Sequence, residues 1–396
     1  MLRLVVNGRA AVPLRGGHPW VYRDELIDPP AELPDGEEAD VLDERGQFLG
    51  RGLTSGRSRI VCRIFVRKRE AIDRDFFKKR ISAAHEFRRN LNLPSARTDA
   101  FRLVFADGDR VPGLTVDRLG KYLVVQTPTS AMDRRKGLVV ELLQELFQPA
   151  GICERNDMGV REMEGLPLLR TWLAGEATSD VEIRENGIVF RVDPLGAMKT
   201  GHFCDQRENR RLIEPIVRGR SVLDLFAYTG GFGLVAARAG ASGVLTVDQS
   251  AEAIEAARAN ARANGLEDRI DHRAADVFEV LRELEAEKRR FEVVVLDPPA
   301  FAKSKVHLPN ALKAYREVNA QAFALLPVGG HLLTCSCSYN VSRADFRKAV
   351  MQAAGQTRRL VRVVAEGGQG PDHPVLVNVP ETEYLKALLA QVVERW

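Results

Sequence analysis

The chain reads as an α/β protein whose C-terminal half forms a doubly wound parallel sheet, and three observations carry that reading. After Pro194 short apolar runs recur at intervals, "SVLDLF", "GVLTVD", "EVVVLD" and "HLLTCS", each the length of a buried strand. The stretches between them have helical periodicity. In "SAEAIEAARANARANG", Ile254, Ala257 and Ala261 share one face and Gly265 supplies the stop. Before Pro194 the pattern differs, β-rich to about residue 70 and mixed thereafter. Alternating strands and helices favour a parallel sheet, and such sheets bind ligands beyond the C-terminal ends of their strands. The chemistry is expected there.

A chain of 396 residues is long enough for two or three domains. Residues 1–72 read as a small β-rich unit with strands at 2–6, 38–42 and 60–66. Residues 73–192 read as a central α+β domain and residues 193–396 as the α/β domain. At the first boundary Ile72, Phe76, Phe77, Ile81 and Phe87 recur at helical spacing, and "LNLP" ends the run. The segment "FRLVFADGDRVPGLTVDRLGKYLVVQT" reads as three strands separated by turns. A helix is expected near residues 136–146, and Asn186-Gly187 marks a hairpin turn.

Composition narrows the class. The chain is 45% hydrophobic and 28% charged, as expected of a globular protein that buries real cores. No apolar run approaches the roughly 20 residues of a membrane span. The start lacks a secretory signal, so a cytoplasmic protein is expected. Five cysteines without a CxxC pair suit neither a disulfide framework nor a zinc site, and seven scattered histidines do not change that; no metal is expected. The net charge of +4 is mild. From Arg51 through "GRSRIVCRIFVRKR", however, basic and apolar residues alternate, ending densely at Arg67 to Arg69. That pattern fits strands with one buried face and one basic face, either simply solvated or turned to phosphates.

The first strand of the α/β domain runs into "DLFAYTGGFGLVAARAG", where Gly230, Gly231 and Gly233 let the backbone turn sharply and approach a ligand. The spacing is not that of a GxGxxG dinucleotide loop. Asp224 at the strand end can accept hydrogen bonds from a ligand amine or from loop amides. Asp248, ending the next strand, can grip two ribose hydroxyls. Asp276 follows the third and either meets an adenine amine or caps the next helix. Three acids after three successive strands point to an adenosine-containing ligand.

At this point the motifs carry a resemblance. "KTGHFCDQRENRRL", "DLFAYTGGFG", "LDPPAFAKSK" and "TCSCS" together resemble the class I S-adenosylmethionine-dependent RNA methyltransferases of the large-subunit ribosomal RNA cytosine-5 type. Upstream, "LRGGHPWVYRDEL" and "DERGQFLGRGL" are similar to that family's N-terminal PUA domain, an RNA-binding β-barrel. "FRLVFADGDRVPGLTVDRLGKYLVVQ" is similar to its central domain, and "GPDHPVLVNVPETEYLKALL" to its C-terminal end. The resemblance implies a Rossmann-like seven-stranded methyltransferase sheet behind a PUA barrel and a small α+β domain. It implies S-adenosylmethionine as cofactor and RNA, ribosomal RNA in the first place, as partner, with no membrane, and leaves a homodimer open. Phe203, Gln206 and Arg207 would lie near the methionine end of the cofactor or the glycine loop. Asp224, Phe226, Tyr228, Gly230, Asp248, Asp276 and Asp297 would complete the cofactor contacts. Cys204 departs from the bulky apolar residue more usual there, and a small buried thiol is tolerable. In "DPPAF", Asp297 and Pro298 would belong to the catalytic site, Asp297 accepting from the cytosine amine. Pro299 and Phe301 would shape the base pocket, with Phe301 either stacking on the base or filling the core.

Methylation at cytosine carbon 5 calls for a nucleophile, because the ring becomes enamine-like there only after a thiolate adds to carbon 6. Cys335 and Cys337 lie two apart, so an extended strand turns both to one side. Cys335 continues the apolar run, whereas Cys337 falls at or past its C-terminal edge. The "SCS" triplet of the resemblance also selects Cys337, with Cys335 second. The second cysteine that one branch of these enzymes carries in the "DPP" motif is absent. The rival readings are a methyltransferase for another RNA base or a protein, and a non-catalytic RNA-binding assembly factor.

Overall fold

The computed structural model describes residues 1–198, 200–301 and 305–396. Lys199, which opens one of the quoted motifs, and residues 302–304, inside another, lie outside the described residues. The chain forms two compact units. One comprises residues 1–184, 192–204 and 371–382, the other residues 185–191, 205–370 and 383–396.

In the first unit a six-stranded sheet runs Trp20–Tyr22, Ile60–Val66, Phe48–Thr54, Glu38–Asp43, Leu2–Val6, Leu26–Ile27. Strands appear where the alternation places them, at 2–6, 38–43 and 60–66. Phe48–Thr54 escapes that pattern because Gly50 and Gly52 interrupt it. A Cβ at Gly52 would overlap the carbonyl of Arg63 on the neighbouring strand, so close backbone approach replaces side-chain packing there. The helix Arg74–Asn90 starts at Asp73, whose carboxylate accepts the Phe76 N–H at 3.0 Å. Its buried face is Phe77, Ile81, Ala84 and Arg88. Phe87, expected on that face, is 39% exposed instead, and Ile72 precedes the helix. The fully buried Arg88 takes the place, donating to the carbonyls of Ala84 and Arg102 and to Asp109. A five-stranded sheet follows in the order Leu169–Gly175, Gly151–Asn156, Tyr122–Gln126, Thr115–Leu119, Ala100–Phe105. The helix Lys136–Phe147 makes the crossover between its parallel pair.

In the second unit the chain builds a seven-stranded sheet. Its strands are β1 (Ser221–Leu225), β2 (Gly243–Asp248), β3 (Ile270–Ala274), β4 (Val293–Leu296), β5 (His331–Ser336), β6 (Arg359–Gly368) and β7 (Lys386–Arg395). Their order is β3-β2-β1-β4-β5-β7-β6. The first five run parallel, and β7 lies antiparallel between β5 and β6. The helices are α1 (Gly231–Arg238), α2 (Ala251–Ala263), α3 (Val277–Ala286), α4 (Leu308–Leu325) and α5 (Arg343–Gln356). Ser250 caps α2 through the Ala253 N–H, and Gly265 at φ 64° ends its run. Asn186 and Gly187, at φ 50° and 82°, are both left-handed, as a two-residue hairpin turn requires. The strand order reverses between β1 and β4, which opens a crevice at their C-terminal ends. No helix among the described residues is long and apolar enough to cross a membrane.

Candidate active site

Strand register assembles the site. Leu225 of β1 pairs with Val247 of β2 and Leu296 of β4, and Leu296 pairs with Thr334 of β5. One residue further on, Asp248, Phe226, Asp297 and Cys335 therefore share a row across four strand ends. Cys337 lies two residues beyond that row, past the last residue of β5.

The β1 side is a backbone cradle. Phe226 (φ 62°), Tyr228 (φ 50°) and Gly230 (φ 83°) alternate left-handed with intervening residues, a conformation that costs an aromatic residue on the order of 1 kcal/mol or more. Asp248 holds it, accepting the N–H groups of Tyr228 and Ser250, each at 2.9 Å. A Cβ at Gly231 would come within 2.5 Å of the Arg210 guanidinium, so a side chain there would have to displace that group. Arg210 is held in turn by Glu185 at 2.7 and 2.8 Å. Asp224 is fully buried. Its Oδ2 accepts the Gly233 N–H at 2.9 Å, while its Oδ1 has no hydrogen-bond partner. Burial pushes this carboxyl up to about 7 against the Gly233 hydrogen bond, and the charges of Asp297 and Asp248 add to the rise. Asp276 does cap α3, accepting from Phe278 and Glu279 through Oδ1. The ring of Phe278 meets Phe226 edge-on at 6.1 Å, a wall that sequence reasoning missed.

The β4–β5 side is a side-chain network. Gln206, buried, donates to Asp297 at 2.7 Å and accepts from Asn209 at 2.6 Å; the Cys335 thiol approaches the same oxygen at 3.9 Å. Gln206 thus positions Asp297. Arg207 is buried and donates to Glu208. Phe203 and Cys204 belong to the other unit, in its segment 192–204. Pro298 turns its carbonyl to the Cys337 sulfur, 3.9 Å away, and Pro299 is exposed. Phe301 is half-buried with its ring 4.8 Å from that of Tyr315. Tyr315, fully buried, joins Ser336 and Ser338 through its hydroxyl at 2.9 Å each, bracketing Cys337 from both sides. Burial raises that phenol to about 12, so it stays a neutral hydrogen-bonding group. Cys335 is fully buried, and burial, with Asp297 adding, holds its thiol well above the usual range. Cys337 is half-buried, and none of the five cysteines forms a disulfide.

Residues 167–389 match the S-adenosylmethionine-dependent methyltransferase family, and residues 4–67 match a PUA-like domain. A relative from Shewanella amazonensis, named ribosomal RNA large subunit methyltransferase I, is 41% identical over 378 residues, 95% of either chain. The chain belongs to this family of methyltransferases. Among solved structures, a protein described as a SAM-dependent methyltransferase from Streptococcus mutans matches with TM-score 0.86 at 24% identity, covering 99% of this chain and 100% of that one. Another, a methyltransferase complexed with SAH, matches with TM-score 0.87 at the same identity and coverage. These likenesses establish the fold.

S-adenosylmethionine is the family's cofactor, and the residues present fit it. Its amine would find an unpartnered buried carboxylate oxygen at Asp224 and its ribose would find Asp248, beside the turn that leads into α1. Among the described residues no cluster of His, Cys, Asp and Glu could hold a metal.

The basic stretch of the first unit has a mixed outcome. Arg51 pairs with Asp40 at 2.8 Å, Arg69 pairs with the same carboxylate, and Arg63 lies 3.8 Å from Glu164. Arg67 donates to the carbonyls of Leu14, His18 and Leu49. Those four charges serve the fold, whereas Arg57, Arg59 and Lys68 are exposed.

Proposed function

We propose that this S-adenosylmethionine-dependent methyltransferase acts on large-subunit ribosomal RNA, methylating carbon 5 of a cytosine with Cys337 as nucleophile. The observation that carries this reading is the contrast of two thiols at one strand end. Cys335 sits inside β5, buried and held protonated, and a buried thiol is inert. Cys337 lies past the strand's end, half-buried, beside the Asp297–Pro298–Pro299 turn, where ligands of such sheets bind.

Bound S-adenosylmethionine supplies an electrophilic methyl group. Asp224 would hold its amine and Asp248 its ribose, while Phe226, Tyr228, Gly230 and Asp276 would line the adenosine side and Gln206 and Arg207 the methionine side. Asp297, fixed by Gln206, accepts a hydrogen bond from the cytosine amine. Pro298 and Pro299 keep the turn stiff, and Phe301, backed by Tyr315, stacks on the base. The Cys337 thiolate adds to carbon 6, forming a carbon–sulfur bond and making carbon 5 nucleophilic. After carbon 5 is methylated, its proton leaves to a base and the thiolate is eliminated, restoring the ring. The relatives' name supports ribosomal RNA as substrate, the PUA-like domain supports RNA binding, and that substrate implies a cytoplasmic enzyme.

The test is covalent trapping. RNA carrying 5-fluorocytidine blocks the final proton loss, so wild-type protein should accumulate an adduct that disappears in Cys337→Ala. Trapping abolished by Cys335→Ala alone would move the nucleophile. Normal cofactor binding with no adduct on any ribosomal RNA would sink the cytosine-5 reading.

A further inference from the structure

We infer that Lys386 is the charge partner of Cys337, a positioning residue whose ammonium holds the nucleophile as thiolate and fixes the loop that carries it. This rests on Cys337 being the nucleophile. Thiolate chemistry near neutral pH needs a nearby cation or dipole, and the described residues offer a lysine next to "SCS".

β7 supplies it. Lys386 opens that strand directly opposite Ser336, the residue before Cys337. Its Nζ donates to the carbonyl of Ser338, the residue after Cys337, at 2.7 Å and to that of Tyr384 at 2.8 Å. The residue is 3% exposed. An ammonium has three donors, and two carbonyls take two of them. Neither carbonyl neutralises it. Among the described residues the charged groups acting on it are Cys337, Glu383 and Arg343, and the neutral Tyr315 hydroxyl bonds the serines on either side of the cysteine. Glu383 and Arg343 pair with each other at 2.7 Å. Cys337 is thus the group facing Lys386 whose charge is left to balance it.

A buried lysine held only by carbonyls is costly as a structural device. Burial drags its ammonium down to about 8, and attraction to Cys337 is the largest influence opposing that fall. The arrangement stores the lysine's charge where a thiolate repays it. The thiol proton leaves to solvent, the ammonium keeps its own, and the pair re-forms each time the adduct is eliminated.

The experiment is the pH profile of Cys337 alkylation by iodoacetamide in the full chain, read peptide by peptide by mass spectrometry and requiring no RNA. Wild type should show a midpoint below the roughly 8.5 of an ordinary thiol. Lys386→Met should raise it by about one pH unit or more, and Lys386→Arg should restore most of the shift. In methylation assays Lys386→Met should lower kcat by about 10- to 100-fold with the KM for RNA little changed. A folded Lys386→Met protein with the wild-type midpoint would reduce Lys386 to a clamp on Ser338 and overturn the inference. If that variant does not fold, a wild-type midpoint at or above 8.5 overturns it equally. Failure of the underlying reading looks different: Cys337→Ala would still methylate RNA.

Discussion

The two sides of the strand edge are built by different means. Beside β1 and β2 the edge is main chain, a turn with two left-handed aromatic residues and a glycine start to α1, tied down by Asp248. Beside β4 and β5 the edge is built by side chains brought from distant parts of the sequence, with Gln206, Tyr315 and Lys386 all converging on "DPP" and "SCS". A backbone cradle is written in consecutive residues. A side-chain network is assembled only when the sheet closes.

The contrast is tested most severely at the two thiols. Cys337→Ala should reduce methylation by at least about 10³-fold, whereas Cys335→Ser, a near-isosteric change inside β5, should leave activity within roughly tenfold of wild type and appear as lower thermal stability. Equal losses in both would erase the distinction between strand interior and strand edge.

Next comes the orphaned carboxylate oxygen of the cradle, Oδ1 of Asp224. Asp224→Asn should weaken cofactor binding by about 10- to 100-fold, the worth of a hydrogen bond to a charged group. Because its folded pKa, about 7, is raised, the unliganded protein holds a proton that the unfolded chain has released. That contribution to stability is full below about pH 4 and lost as pH rises toward 7. The ionised form is the one that receives an amine. Cofactor affinity should therefore strengthen from pH 6 to 8 with proton release on binding, and calorimetry in buffers of differing ionisation enthalpy should find both effects missing in Asp224→Asn.

On the network side, Tyr315→Phe removes a hydroxyl shared by two serines. We expect a loss of about 1–3 kcal/mol in denaturant unfolding, because Ser336 and Ser338 lose a buried partner. The turnover number should fall about tenfold while cofactor affinity holds. The smallest effect belongs to Asp276. Asp276→Ala should cost about 1 kcal/mol as a lost helix cap, and Asp276→Asn almost nothing. A large loss of cofactor affinity in Asp276→Asn would instead make adenine contact its principal work.

These results follow what was legible beforehand. Buried parallel strands announce themselves by apolar runs, and all four quoted runs are strands ending within one residue of expectation. The glycine loop and three acids were readable for the same reason, since each is local. Phe87 misled because hydropathy could not foresee that the next residue, Arg88, would be buried by backbone carbonyls and Asp109. Phe48–Thr54 was silent because glycine carries no alternation. Tyr315 looked like one aromatic among many on a helix, and Lys386 like one charge in "ETEYLK". Nothing local distinguishes either, because each draws its meaning from a strand end far away in sequence.

The antiparallel insertion of β7 has a consequence in time. Residues 386–395 are made after every other part of the site, yet they occupy an interior position of the sheet, between β5 and β6. A nascent chain that has already released its glycine loop and both cysteines still lacks the strand that aligns them. The sheet therefore closes around the glycine loop and the two cysteines only once this interior strand has been added.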